Sequence, residues 1–252
     1  MRDNVRAFVE IARRAFAPRG PVYEFGSYQV DDQAQRADLR GLFDGMRYIG
    51  CDMRPGPGVD RVEDLAALSL RDASAPTILC LDTLEHVFEA RRGVDEMLRA
   101  LEPGGIIILS APLHFHLHAY PSDYWRITPA CMARMLEPLA ATLIGWQGVE
   151  SFPHTVLALG MKAPVPSHFM ASANDLAAAF QAWLDERRSA VPITKRVRQW
   201  LAGVVAGKGF RRRAREHFNA RFAISAPARA AKGTAAEPSF ASAATGGRID
   251  LM

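Results

Sequence analysis

The stretch from Thr77 to Pro112 constrains the fold more than any other part of the chain. It opens with an apolar run, TILCL, that ends abruptly in Asp82-Thr83-Leu84-Glu85-His86. A segment with Val94, Met97, Leu98 and Leu101 at helical spacing follows and stops at Pro103-Gly104-Gly105. A second apolar run, Ile106 to Leu109, ends at Ser110-Ala111-Pro112. Strand, helix and strand in this order, the second strand apolar at every position, describe a crossover within a buried parallel sheet. Polar residues crowd the carboxyl end of the first strand, where open parallel sheets bind their ligands.

The flanking sequence extends the same alternation. Pro21 to Gly26 reads as a strand entering a loop, and Arg47 to Cys51 as a strand ending at Asp52. Pro55-Gly56-Pro57-Gly58 turns the chain into a short strand, Val59 to Val62, that ends near Glu63-Asp64-Leu65. Arg36 to Phe43 reads as a short helix, and Pro129 to Leu136 as a helix with proline in its first turn. Thr142 to Val149 and Thr155 to Met161 read as an antiparallel closing pair. Strands alternating with helices imply a sheet covered on both faces.

Four segments are expected. Residues 1–20 form an amphipathic helix with Val5, Phe8, Val9, Ala12 and Phe16 near one face. Residues 21–162 form the α/β domain, and Ala163-Pro164-Val165-Pro166 reads as a linker. Residues 163–224 form a helical, basic extension, with Asn174 to Arg187 presenting Leu176, Ala179, Phe180 and Trp183 on one face. Residues 225–252, rich in Ala, Ser, Gly and Pro, read as disordered.

Composition bounds the setting. The chain has 252 residues, 49% of them hydrophobic, yet no run approaches the roughly 20 apolar residues of a membrane-spanning helix. The start lacks the apolar centre of a secretory signal, and three unpatterned cysteines fit a reducing compartment, so a cytoplasmic location is expected. The net charge of +4 conceals an uneven distribution: Lys195 to Arg221 holds nine Lys/Arg against one Glu, leaving the remainder mildly acidic. Apolar residues flanked by cations, as around Trp200 to Val205, suit an anionic membrane surface or an acidic partner, against the plain alternative of a solvated helix.

The order of VYEFGS, YIGCD, RVEDL, CLDTLEHV and LEPGGIIILSAP resembles that of class I S-adenosylmethionine-dependent methyltransferases of the broad small-molecule type, over residues 20 to 162. The DYWRIT segment, Asp123 to Thr128, is similar to a stretch found in some members after the fifth strand. The resemblance implies an α/β, Rossmann-like three-layer sandwich with a mostly parallel seven-stranded sheet, its last strand antiparallel. It also implies S-adenosylmethionine as cofactor.

That resemblance gives the strand tips roles. Glu24 and Gly26 match the position of an acidic residue and a Gly-x-Gly-x-Gly run, but Tyr28 and Val30 stand where further glycines would fall. Either the loop swings outward or Tyr28 packs on the ligand. Asp52 matches the carboxylate that accepts hydrogen bonds from ribose hydroxyls, a geometry shared with dinucleotide-binding folds. Asp64 and Leu65 match the residues that meet adenine, with Glu63 as substitute for Asp64 and a helix N-cap as the plain alternative. Asp82 and Thr83 match the methionine end, and Ser27, Tyr28 and Met53 flank these contacts.

Candidate catalytic residues are His86, His114 and Asp123. A histidine near the transferred methyl is suited to take a proton at neutral pH. Glu85 and His86 equally suit capping and orienting the next helix. His114, His116 and His118 alternate with Phe115 and Leu117, so an extended segment would align all three. No carboxylate or cysteine accompanies them at ligand spacing, and no metal is expected; substrate contact and loop packing both remain open. Tyr120, Asp123, Tyr124, Trp125 and Arg126 supply an aromatic wall with two charges.

The expected reaction is transfer of a methyl group to a small-molecule or glycan-type acceptor, preferentially at oxygen. The missing glycines motivate the alternative of a catalytically inactive binding or scaffold domain. Nucleic acid is disfavoured as substrate, because the fourth strand is not followed by the Asn/Asp-Pro-Pro-aromatic tetrad of base-amine methyltransferases. A dehydrogenase is disfavoured because Gly26 alone makes a poor pyrophosphate cradle.

Overall fold

A computed structural model describes residues 2–30, 38–118, 122–192 and 216–227. Eight strands form one sheet in the order β3-β2-β1-β4-β5-β7-β6-β8. The first five are β1 (Val22–Phe25), β2 (Tyr48–Asp52), β3 (Arg61–Val62), β4 (Ala75–Leu81) and β5 (Leu101–Pro112), and they pair in parallel. The remainder are β6 (Ala141–Val149), β7 (Phe152–Met161) and β8 (Ala220–Ser225). Strand β7 runs antiparallel to both β5 and β6. The Rossmann-like sandwich with a reversed seventh strand is therefore present.

Helices cover both faces, as the alternation predicts. Helix α2 (Ala90–Ala100) and α3 (Pro129–Met135) pack Val94, Met97, Leu98, Met132 and Met135 against Ile78, Cys80, Ile107 and Leu109 on one side. Helix α1 (Asp3–Phe16) and α4 (Phe169–Ser189) pack Val5, Phe8, Val9, Leu176 and Phe180 against Leu79, Leu81, Ile106 and Ile108 on the other. The period-two split of Ile106/Ile108 from Ile107/Leu109 explains why β5 is apolar throughout: each face meets a helical layer.

Several expectations are corrected. Segment 163–224 is not helical throughout. After α4 the chain returns as β8, antiparallel to β6, and adds an eighth strand at the sheet edge. Phe222 supplies the reason. It stacks on Phe8 and meets Phe180 edge-on, and Gly145 beneath it leaves room, since a Cβ there would lie 2.4 Å from the ring. Ser225, expected to begin a disordered tail, is the last residue of β8, and the segment lies outside the described residues from 228 on. Helix α4 is longer than expected and buries Leu184, while Ala179 is exposed. The residues between Arg36 and Phe43 give only a 3-10 turn, Arg40–Phe43, among those described. Pro103-Gly104-Gly105 does not separate helix from strand. It is a bulge within β5, where Ala75 pairs with Leu101 and Thr77 with Ile106. The cationic run from Lys195 to Arg215, Trp200 to Val205 included, lies outside the described residues.

Candidate active site at the carboxyl edge of the sheet

The parallel strands end along one open cleft of about 1450 Å³. Glu24, Gly26, Ser27, Tyr28, Asp52, Met53, Asp64, Leu65, Asp82, Thr83, His86 and His114 all border it.

The first loop leaves β1 at Gly26, whose φ of +85° is open to glycine and costly for other residues. Its Cα also lies against Thr83: an added Cβ would fall 2.0 Å from the Thr83 hydroxyl. Thr83 in turn donates to the Leu81 carbonyl at 2.9 Å and to that of Phe25 at 3.3 Å, so β1 and β4 are joined at their tips. The N–H groups of Gly26 and Ser27 both reach the Cys51 carbonyl. Tyr28 resolves the question left by the missing glycines. Its ring leans on Gly56, and the Arg54 guanidinium covers it at 4.7 Å, so it packs on the β2–β3 loop.

Asp52 stands at the tip of β2. Oδ1 accepts from the Arg54 N–H at 3.1 Å and Oδ2 from the Tyr28 N–H at 3.3 Å. These two bonds aim the carboxylate and leave each oxygen a lone pair for a ligand hydroxyl. Asp64 is exposed on the cleft and caps the 3-10 turn Leu65–Ala67 through Ala66 N–H, so both readings of this residue coexist. Glu63 is no substitute. It is buried, and its carboxylate is taken by Arg61 and by the Ser69 hydroxyl and N–H.

Glu24 is buried beneath the loop and accepts a 2.7 Å hydrogen bond from the Tyr48 hydroxyl. Burial pushes its carboxyl up to about 7, against the lowering effect of that bond. Asp82 adopts a left-handed φ of +48° at the end of β4. Its carboxylate is bound by Arg2 and by the Ser110 hydroxyl at 2.8 Å. Burial acts to raise its pKa, but the Arg2 charge and these hydrogen bonds prevail and lower it. Asp82 therefore orders the strand tip with its charge already compensated.

Beyond the strand tips lie the candidate catalytic residues. His86 Nδ1 sits 2.6 Å from the Ser122 carbonyl, which makes Nδ1 the donor and, in the neutral ring, leaves Nε2 as the acceptor. His114 is exposed and its ring rests on Phe152 at 4.1 Å. Asp123 is held by Arg126 and by the His118 N–H, which drive its pKa well below the usual carboxylate range. With its charge so engaged, it positions the loop and is a poor proton acceptor. The three alternating histidines do not line up. His114 turns to Phe152, His116 stacks on Phe115, and His118 meets His86 edge-on at 4.8 Å.

Residues 32–109 match the family described as "Methyltransferase domain". A probable S-adenosylmethionine-dependent methyltransferase of Mycolicibacterium smegmatis is 33% identical over 81 residues. That alignment covers 32% of this chain and 27% of the relative, so the chain spans about a quarter of the curated relative's length. Residues 32–109 are thus similar to a methyltransferase domain. Among solved structures, an S-adenosylmethionine-dependent methyltransferase from Mesorhizobium loti is similar at 14% identity and a TM-score of 0.44, over 62% of this chain and 98% of that one. The Burkholderia thailandensis 1,6-didemethyltoxoflavin-N1-methyltransferase, with 1,6-didemethyltoxoflavin and S-adenosylhomocysteine bound, is 18% identical with a TM-score of 0.47, over 64% of this chain and 78% of that one.

The cleft fits S-adenosylmethionine, the cofactor that this similarity implies. The Gly26 turn keeps side-chain bulk away from the strand tips, Asp52 presents aimed lone pairs, and the Ser27 hydroxyl is buried without a hydrogen-bond partner. Two further residues contribute to this site. Arg2 reaches it from α1, and Arg54 covers Tyr28; neither carries a local signal. Glu85, on the segment expected beside the methionine end or capping the next helix, is fully buried, and among the described residues neither carboxylate oxygen has a hydrogen-bond partner. Among the described residues, no helix is long and apolar enough to cross a membrane.

Proposed function

We propose that this chain transfers the methyl group of S-adenosylmethionine to an oxygen of a small-molecule or glycan-type acceptor, in the cytoplasm. One observation carries the reading: the Gly26 turn, the aimed Asp52 carboxylate and the Asp82–His86 tip of β4 border a single continuous cleft.

S-adenosylmethionine, when bound, supplies a methyl group on a sulfonium that is already a good leaving group. The protein's work is then mainly alignment and proton handling. Gly26 and Ser27 admit the cofactor close to the backbone, Asp52 holds hydroxyls, and Asp64 and Leu65 flank the opposite end. His86 presents Nε2 as a proton acceptor, with its tautomer fixed by the Ser122 carbonyl. Phe88 and Tyr124 pack edge-on at 5.3 Å beside the cleft and offer an aromatic wall to a ring-shaped acceptor.

The test is calorimetric titration of S-adenosylmethionine into the wild type and D52A, followed by methyl transfer to a panel of hydroxylated acceptors. Saturable binding that weakens at least about tenfold in D52A supports the assignment. No binding at millimolar cofactor would sink it, and would favour an inactive binding domain acting through residues 195–221.

A further inference from the structure

Three side chains that can ligate a metal ion, Glu85, His86 and His118, face one another in the cleft. Glu85 is fully buried, and among the described residues neither of its carboxylate oxygens has a hydrogen-bond partner. His86 Nε2 lies 3.8 Å from Glu85 Oε1, beyond hydrogen-bond distance. His118 completes the group: one ligand-capable atom from each of Glu85, His86 and His118 lies within 4.8 Å of the others.

The outer contacts of both histidines point the same way. His86 Nδ1 is engaged by the Ser122 carbonyl at 2.6 Å. His118 Nδ1 lies 3.2 Å from both the Asp123 carboxylate and the His116 carbonyl. A histidine whose Nδ1–H is given to a carbonyl or carboxylate presents a bare Nε2 lone pair, the usual arrangement of a metal-binding imidazole. Asp123 is itself anchored by Arg126, so the His118 ring is oriented by a fixed charge. A buried carboxylate without a partner is costly, and a cation among the three groups removes that cost.

We propose that Glu85, His86 and His118 form a three-ligand site for a divalent transition-metal ion, with open coordination positions toward the cleft. Two imidazole nitrogens and one carboxylate select zinc-like ions over magnesium or calcium, which take mostly oxygen. Ligand atoms around an ion at about 2.1 Å stand about 3.4 Å apart in tetrahedral geometry, so the group closes by roughly an ångström on binding. Three protein ligands leave room for an exogenous oxygen, as in catalytic rather than structural sites. The site lies beside the strand tip proposed above for methyl transfer, and an ion bound there occupies the His86 Nε2 lone pair that otherwise accepts the proton; the inference stands on the side-chain cluster alone.

The test uses the untagged full chain, stripped with chelator, and zinc as the probe in the absence of cofactor. Calorimetry should show one tight equivalent. E85Q, which keeps shape and removes charge, and H118A should each weaken binding about tenfold or more, whereas H116A should leave it within about twofold. X-ray absorption of zinc-loaded wild type, which requires no variant, should show two imidazole nitrogens and oxygen. The proposal is overturned by absence of saturable binding, by unchanged affinity in both E85Q and H118A, or by a spectrum with fewer than two imidazoles. Because cofactor is absent throughout, failure here leaves the methyl-transfer reading standing, and failure to bind S-adenosylmethionine leaves this one standing.

Discussion

The guanidinium of Arg2 grips the carboxylate of Asp82 across the carboxyl edge of the sheet, Nη2 to Oδ1 at 2.6 Å and Nε to Oδ2 at 3.1 Å. The third guanidinium nitrogen, Nη1, donates to the Thr155 hydroxyl at 2.6 Å, so one side chain ties α1 to both β4 and β7. Asp82 is largely withdrawn from water, and removal of Arg2 would strand its charge. R2A should lose about 3 kcal/mol of stability, read from urea unfolding at pH 7. D82N, which removes the more buried charge and leaves only the more exposed Arg2 without its counter-charge, should cost less than R2A. Equal or smaller loss in R2A would refute the account.

Gly26 is held by two independent constraints, its φ of +85° and the Thr83 side chain against its Cα. G26A should destabilise by about 1–3 kcal/mol and weaken S-adenosylmethionine binding. The double variant G26A/T83A relieves the contact but not the backbone strain. Partial recovery of stability is therefore expected, and full recovery would show that φ is immaterial.

Glu24 carries a pH signature. Its carboxyl moves from an ordinary 4.5 to about 7 in the folded protein, so the native state holds a proton that the unfolded chain releases. This contribution is complete below pH 4.5 and is lost as pH rises through about 7. The shift corresponds to about 3 kcal/mol as an order of magnitude. E24Q should flatten the fall in stability between about pH 5 and pH 8, as followed by urea midpoints. An unchanged slope would place the proton elsewhere.

Phe222 anchors the eighth strand between Phe8 and Phe180. F222A should cost about 3 kcal/mol. Hydrogen exchange should accelerate first in β8 and the facing edge of β6, where Leu143 pairs with Ile224 and Gly145 with Phe222. Uniform acceleration across the sheet would argue against a peripheral strand.

The sequence by itself determined the β1–β5 crossover units and the polar residues at their tips. Apolar runs, helical spacing and Gly/Pro punctuation are local, and in a parallel sheet a strand's carboxyl tip is automatically a ligand-facing position. Gly26, Asp52, Asp64 and Asp82 could be placed on the cleft from that rule alone. Only the tertiary structure decided what each tip touches. Arg2 meets Asp82 across 80 positions, Tyr28 settles on Gly56 and Arg54, and His118 turns to His86 while His114 and His116 turn away. The strand Ala220–Ser225 shows no sign of its partner, because its alternation spans six residues and β6 lies more than seventy positions earlier. Local patterning sets which face of an element is buried. Which distant group arrives there depends on long-range packing, and in this cleft that packing gathers Glu85, His86 and His118.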